Sequence, residues 1–151
     1  MRVLVQRVSQ GAVRVEGQTV GRIGQGYVLL VGIGEGDTPE QARKMAQKVA
    51  NLRLFPNEAG KFDRSLLEVG GGALVVSQFT LYADARRGRR PSFIAAAPPE
   101  VASPLVDHFA QCLRELGVAS VQTGRFGASM EVEIWNQGPV TIWLDSKELE
   151  A

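Results

Sequence analysis

The sequence predicts a mixed α/β fold: mostly antiparallel sheets, stacked or curled into a half-open barrel, with two helices packed outside. Three observations carry that prediction. Many short segments show strand spacing or unbroken apolar runs. Two segments carry the 3.6-residue repeat of an amphipathic helix. The length, 151 residues, suits one domain spanning 1–151. A chain of that size buries roughly 70% of its unfolded surface and folds without a metal or disulfide.

The N-terminal third reads as strands. Val3, Val5 and Arg7 alternate with Leu4, Gln6 and Val8, so Arg7 shares a face with two valines. Ser9-Gln10-Gly11 predicts a turn into 12–16, and Gly17-Gln18 a turn into 19–23. Residues 27–33 form a continuous apolar run, as expected of a strand buried on both faces. Thr38 then caps a helix, with Pro39 at its first position and Gln41 completing a capping box. Ala42, Met45, Ala46, Val49 and Leu52 form its apolar stripe, and the alanines in it predict an outer layer lying on a sheet.

Residues 52–72 read mostly as loop, punctuated by Pro56, Asn57 and Gly60. Residues 73–81 read as a buried strand, and 83–97 as a second loop. The second helix spans 98–116 and stops at Gly117. Its apolar arc is Val101, Leu105, Phe109, Cys112, Leu113 and Leu116. Strands are predicted at 118–124, 130–135 and 140–145, the last two joined by a hairpin turn at Asn136-Gln137-Gly138-Pro139.

Composition narrows the functional classes. Apolar residues are 44% and charged residues 22%, the values of a soluble globule. No apolar run reaches the ~18 residues of a membrane span, and Met1-Arg2-Val3 begins no signal peptide, so a cytoplasmic location is expected. One cysteine, Cys112, permits no internal disulfide and no multi-cysteine zinc site. The single histidine, His108, falls at the rim of the second helix's apolar arc. No H-E-x-x-H, G-x-S-x-G or phosphate-loop motif occurs, and Gly32, Gly34 and Gly36 have the wrong spacing for a dinucleotide fingerprint. No metal and no cofactor are expected, and any reaction here needs little general acid–base help.

Three segments remain that can carry chemistry. Ser77-Gln78-Phe79-Thr80 turns a hydrophobic strand abruptly polar, with Gln78 and Thr80 predicted on one face. That pattern fits a site on a rigid element, and equally a strand end satisfying its own backbone. In 136–141, Gly138-Pro139 is a candidate cis peptide, and an ordinary turn fits the same spacing. Arg86, Arg87, Arg89 and Arg90 fall within five residues; setting them aside leaves 13 of the 17 basic residues against 16 acidic ones. Positive charge is thus concentrated locally, which suits a phosphate-bearing partner better than a membrane. A solvated charge run is the alternative.

Taken together, these residues resemble a known family. Ser77-Gln78-Phe79-Thr80-Leu81 and Asn136-Gln137-Gly138-Pro139-Val140-Thr141 are similar to the two signature motifs of D-aminoacyl-tRNA deacylases. Gln6-Arg7-Val8, Arg90-Pro91-Ser92-Phe93 and Thr123-Gly124-Arg125-Phe126 match in the same order along the chain. The resemblance implies a three-layer β/β/α homodimer that hydrolyses the ester between a D-amino acid and tRNA. It implies that Gly138-Pro139 is cis and enters the partner's pocket, with Arg7 holding that turn. It places the 3′-terminal adenosine beside Ser77, Gln78, Phe79 and Thr80, with the Phe79 backbone and Gln78 near the reacting carbonyl. Asn136 and Met130 fall on the same substrate-selecting side, and Arg86, Arg87, Arg89 and Arg90 are expected to meet tRNA. Aminoacyl-tRNA is then the expected partner, with no DNA and no membrane.

Such an ester is activated, so positioning and an oxyanion donor can suffice. Two routes can be drawn: attack by Thr80, for which no base is evident, or assistance by the adenosine 2′-hydroxyl, which both the resemblance and the residue inventory favour. Selection by a stiff wall that rejects L side chains predicts leakage of glycyl-tRNA, including tRNA-Ala mischarged with glycine. Two other functions fit the same sequence: a non-catalytic RNA-binding module, and an editing enzyme of this fold acting on an L-amino acid or another mischarged residue.

Overall fold

The computed structural model describes residues 1–149; residues 150 and 151 of the expected domain lie outside the described residues. In chain order the elements are β1 (Arg2–Val15), β2 (Gln18–Ile23), β3 (Gly26–Gly32), α1 (Pro39–Asn51), β4 (Phe55–Pro56) and β5 (Phe62–Arg64). Then follow α2 (Leu66–Val69), β6 (Gly72–Ser77), a 3₁₀ turn at Phe79–Tyr82, α3 (Pro99–Glu115), β7 (Ser120–Thr123), β8 (Met130–Asp145) and a 3₁₀ turn at Ser146–Glu148.

Strand β1 organises the sheet. Along one edge it pairs antiparallel with β8 from Arg2↔Asp145 to Val15↔Met130. On its other edge, residues 2–8 pair with β3 and residues 11–15 with β2. The sheet continues in parallel from β3 to β6 and from β6 to β7. It then curls: β2 comes up against β7, and a Cβ on Gly21 would sit 2.9 Å from the Thr123 carbonyl oxygen.

The curl produces the layers. Its interior holds Val8, Val13, Ile23, Val28, Leu74 and Val76. The opposite face buries Val3, Val5, Leu29 and Val75 against Met45 and Val49 of α1 and Phe109 and Leu113 of α3. This is the expected half-open barrel with helices outside, and β4–β5 form a separate two-stranded sheet beside it. Tyr27, fully buried, stacks on Phe55 with centroids 5.2 Å apart and ties that small sheet to β3.

Local signals held where the cause is local. Thr38 and Gln41 form the capping box, with Pro39 at the helix start. Elsewhere the structure corrects the sequence reading. Ser9-Gln10-Gly11 is no turn: β1 runs straight through, and these residues mark where it changes partner from β3 to β2 and shifts register against β8. Residues 130–135 and 140–145 are not two hairpin strands but one, because both halves pair with β1 in the same sense. Between Asn136, opposite Val8, and Thr141, opposite Gln6, the chain loops out from the ladder. The strand expected at 73–81 stops at Ser77, where the backbone winds into the 3₁₀ turn. The alternation proposed for Gln78 and Thr80 therefore does not apply. The loop 52–72 contains β4, β5 and the short α2, capped by Ser65 and Glu68. On α3, Val101 is exposed, and Ala102, Val106 and Ala110 take its place on the buried face.

One glycine makes the parallel β3–β6 pairing possible. Gly26 has φ +157° and faces Gly72 so closely that a Cβ would overlap the Gly72 carbonyl. Gly26→Ala is expected to cost about 3 kcal/mol or more, while Gly24→Ala, with nothing within 4 Å, stays within about 0.5 kcal/mol. Urea midpoints measure both. Equal midpoints would show that the backbone here gives way.

Candidate active site

The first site element is a cavity of about 530 Å³ at the C-terminal ends of β3 and β6. Ile33, Val76, Ser77, Gln78 and Phe79 form one side, and Pro99 and Ala102 at the start of α3 form another. Phe93, Ala96 and Ala97 line it from the preceding loop, and Phe126, Gly127, Ala128, Met130 and Val132 close it. Of the expected site residues, the structure thus brings together Ser77, Gln78, Phe79 and Met130.

The 3₁₀ turn shapes the polar lip of this cavity. Gln78 N–H donates to the Val31 carbonyl at 2.8 Å, which anchors the turn to the end of β3. Gln78 provides no side-chain cap, so it leaves the leading N–H groups at Phe79 and Thr80 to other acceptors. Its Nε2 instead donates to Thr80 Oγ1. Phe79 is 55% exposed and meets Phe93 edge-on at 5.0 Å. The Thr80 hydroxyl lies outside the cavity lining.

The second element stands apart. Gln137, Gly138 and Pro139 are exposed, and none of them lines the cavity of their own chain. The Gly138-Pro139 bond is cis, as the sequence suggested. Asn136 spans the base of this loop: its Oδ1 accepts from Val140 N–H at 3.0 Å and its Nδ2 donates to Thr141 Oγ1 at 2.8 Å. Arg7, only 8% exposed, lies opposite in β1. It donates from Nη1 to the Leu54 carbonyl at 2.7 Å and from Nε to the Gln137 carbonyl at 3.2 Å. A Cβ on Gly138 would come 3.0 Å from Arg7 Nη2, so the guanidinium packs directly against the turn.

The arginine loop is the third element. Reciprocal backbone bonds between Asp84 and Ser92, at 2.7 and 2.8 Å, close it, and Gly88 turns at φ +65°. Arg86 grips Asp84 through Nε and Nη2, at 2.9 and 2.8 Å, and holds its carboxyl down to about 2. Among the described residues, ion pairs take up Arg86 but not Arg87, Arg89 or Arg90. All four are exposed.

His108 is exposed on α3 and lies outside the cavity lining, 3.6 Å from the Sγ of Cys112; burial pushes the Cys112 thiol up. The sequence reading missed Ala96, Ala97 and Ala102, whose small side chains leave the cavity its volume. The signal was present in the run Ala95-Ala96-Ala97-Pro98-Pro99. It also missed the Leu54 carbonyl as the second anchor of Arg7, and a backbone acceptor leaves no mark in sequence.

Comparison with known proteins gives a consistent result. The family model described as D-Tyr-tRNA(Tyr) deacylase matches residues 4–145. A D-aminoacyl-tRNA deacylase of Thermomicrobium roseum is 65% identical over 149 residues, covering 99% of this chain and 96% of its own. That of Bacillus pumilus is 53% identical, covering 98% and 100%. Among solved structures, the c-Myc DNA Unwinding Element Binding Protein superposes with TM-score 0.90 at 39% identity, covering 96% and 98%. A probable eukaryotic D-amino acid tRNA deacylase, 20% identical, shares the fold with TM-score 0.80 over 95% and 97%. With the match spanning almost the entire chain, this protein belongs to the D-Tyr-tRNA(Tyr) deacylase family.

Proposed function

We propose that this protein is a cytoplasmic, single-domain D-aminoacyl-tRNA deacylase working as a homodimer, in which the Gly138-Pro139 turn of one subunit walls the cavity of the other. The observation that carries the reading is the separation of the two motifs. The turn is exposed, anchored by Arg7 and Asn136, and absent from the lining of its own chain's cavity. A second copy supplies the missing wall. Met130, in the cavity lining, lies on the substrate side facing that wall.

In this reading the terminal adenosine enters the cavity beside Ser77 and Phe79. Water adds to the ester carbonyl, the N–H groups at the start of the 3₁₀ turn receive the developing oxyanion, and the bond to the ribose oxygen breaks, freeing the D-amino acid and tRNA. The hydroxyl that helps comes from the RNA. Thr80 already accepts a bond from Gln78, and among the described residues no basic side chain hydrogen-bonds to its hydroxyl. The cavity's amino-acid end excludes L side chains sterically, so glycine, with nothing to exclude, is also cleaved, including from mischarged tRNA-Ala. Arg87, Arg89 and Arg90 hold tRNA phosphates, with Arg86 partly committed to Asp84.

Matched D-, L- and glycyl-tRNAs test the whole reading. D and glycyl esters are expected to be cleaved and L esters spared. Binding without cleavage would favour an RNA-binding module, and cleavage of L esters an editing enzyme of other specificity. Thr80→Ala is expected to keep substantial activity, whereas tRNA ending in 2′-deoxyadenosine turns over poorly; the opposite pair of results would assign the hydroxyl to the protein. Changing Arg86, Arg87, Arg89 and Arg90 to glutamine is expected to flatten the log–log salt dependence of tRNA binding by about 2, the loss of two or three phosphate contacts. An unchanged slope would mark the loop as a solvated edge.

A further inference from the structure

The 3₁₀ turn at Phe79–Tyr82 is one short helical turn, and contacts from outside it fasten both its ends. At its boundaries, Leu81 N–H donates to the Gln78 carbonyl at 3.2 Å and Ala83 N–H to the Thr80 carbonyl at 3.0 Å. Phe79 and Thr80 are exposed. Its inner end is pinned by Gln78 to β3. Its outer end is pinned from the opposite end of the sequence.

Arg2, at the start of β1, donates from Nη1 to the Leu81 carbonyl at 2.9 Å and from Nε to Asp145 Oδ2 at 3.1 Å. Its guanidinium carbon lies 4.3 Å from the Tyr82 ring centroid and 5.5 Å from that of Trp143. Tyr82 in turn is seated on β3 and the residues after it. Cβ atoms on Gly32 and Gly34 would come 3.2 and 2.6 Å from its ring. Asp145 is itself fixed by accepting from Lys147 N–H at 3.0 Å. The guanidinium therefore meets a carbonyl, a carboxylate and two aromatic rings at once. A planar fork with several N–H groups can do this, and a lysine ammonium cannot reproduce it.

We infer that Arg2 is a positioning residue for ester hydrolysis: by holding the Leu81 carbonyl and the Tyr82 ring, it fixes the turn that presents Gln78 and Phe79 to the cavity. The inference rests on the reading that this turn carries the chemistry. It requires no contact between Arg2 and substrate, and Arg2 is absent from the cavity lining. A purely structural tie between β1 and β8 would use the same Asp145 bond. The two differ in their effect on the folded enzyme, since displacement of groups that receive the transition state lowers the saturated rate more than it weakens binding.

The test is single-turnover cleavage of a D-aminoacyl-tRNA across enzyme concentrations, for the wild type and for Arg2→Met, Arg2→Lys and Arg14→Met. Arg14 is the control: it is another β1 arginine, paired with Glu133 at 2.7 Å. Arg2→Met is expected to lose about tenfold in saturated rate, a barrier change of about 1.4 kcal/mol, with half-saturation within about twofold. Arg2→Lys, which keeps the charge near Asp145, is expected to lose about threefold, and Arg14→Met almost nothing. Added methylguanidinium is expected to restore part of the Arg2→Met rate. Should Arg2→Met fail to fold, Arg2→Lys carries the comparison. Wild-type saturated rates in both Arg2 variants, whatever their melting temperatures, would overturn the inference. So would a raised half-saturation at unchanged rate, which would make Arg2 an RNA contact. A wild-type enzyme that leaves D esters intact would overturn the underlying reading, and the inference with it.

Discussion

Arg7 occupies a place in the fold where a charge is costly. It lies on the helix-facing side of β1, in line with Val3 and Val5, and among the described residues no carboxylate pairs with it. With the whole residue only 8% exposed, Arg7 has lost most of its water, and carbonyl oxygens must replace it. Two do: Leu54, just before the small β4–β5 sheet, and Gln137, in the excursion of β8. Hydrogen bonds to a charged donor contribute about 1.5–3 kcal/mol, more than neutral ones. One side chain thus joins three segments far apart in sequence. The turn at 138–139 keeps a fixed attitude because a buried charge cannot release the carbonyl that precedes it.

That constraint explains which features the sequence could disclose. The capping box at Thr38 and Gln41 was legible because cause and effect lie three residues apart. The same pattern at Ser65 and Glu68 was present but precedes only a four-residue helix, too short for apolar periodicity to support it. The turn residues at 136–139 were visible as a break. Whether the flanking strands pair with each other or with a third depends on β1 being 14 residues long and unbroken, and no local signal carries that. The strand running into Ser77-Gln78-Phe79 looked continuous because Phe79 and Leu81 are apolar. The backbone departs there because Gln78 N–H already has its acceptor in Val31 and the ladder to β7 has ended at Val75. The residues of the candidate site were therefore readable as types, while their division into a cavity and a remote turn was not.

The cavity's chemistry is spare, and the reaction proposed for it is correspondingly undemanding. Its lining is mostly alanine, valine and aromatic, and its polar groups are those of Ser77, Gln78 and exposed backbone. Removing one well-placed oxyanion donor from an enzyme costs about 2.7–4 kcal/mol, and holding reactants in place contributes about 7–11 kcal/mol. Both effects depend on position rather than on proton affinity. A site of this kind gains nothing from a tuned histidine and a great deal from rigidity, which is where the anchoring of the 3₁₀ turn at both ends matters.

Rigidity matters still more for telling mirror-image substrates apart. Under the proposed reading, sparing the abundant L esters by a factor of ~10⁴ needs about 5.5 kcal/mol between the two hands. One additional hydrogen bond to the favoured hand contributes about 0.5–1.5 kcal/mol, so attraction falls short by a wide margin. Repulsion has no such ceiling, provided that the repelling group cannot yield. Side chains yield by changing rotamer, at a cost of about 0.5–1.5 kcal/mol for a strained one. A backbone turn does not have that freedom. Here the turn is fastened from beneath by a buried guanidinium and across its base by Asn136, whose two bonds close the excursion at Val140 and Thr141. Under the proposed reading, a wall made of main chain, held by Arg7 and Asn136, offers a side chain of the wrong hand nothing to push aside. In that reading the wall meets no side chain in glycine, so a device that excludes one hand is expected to admit glycine as well.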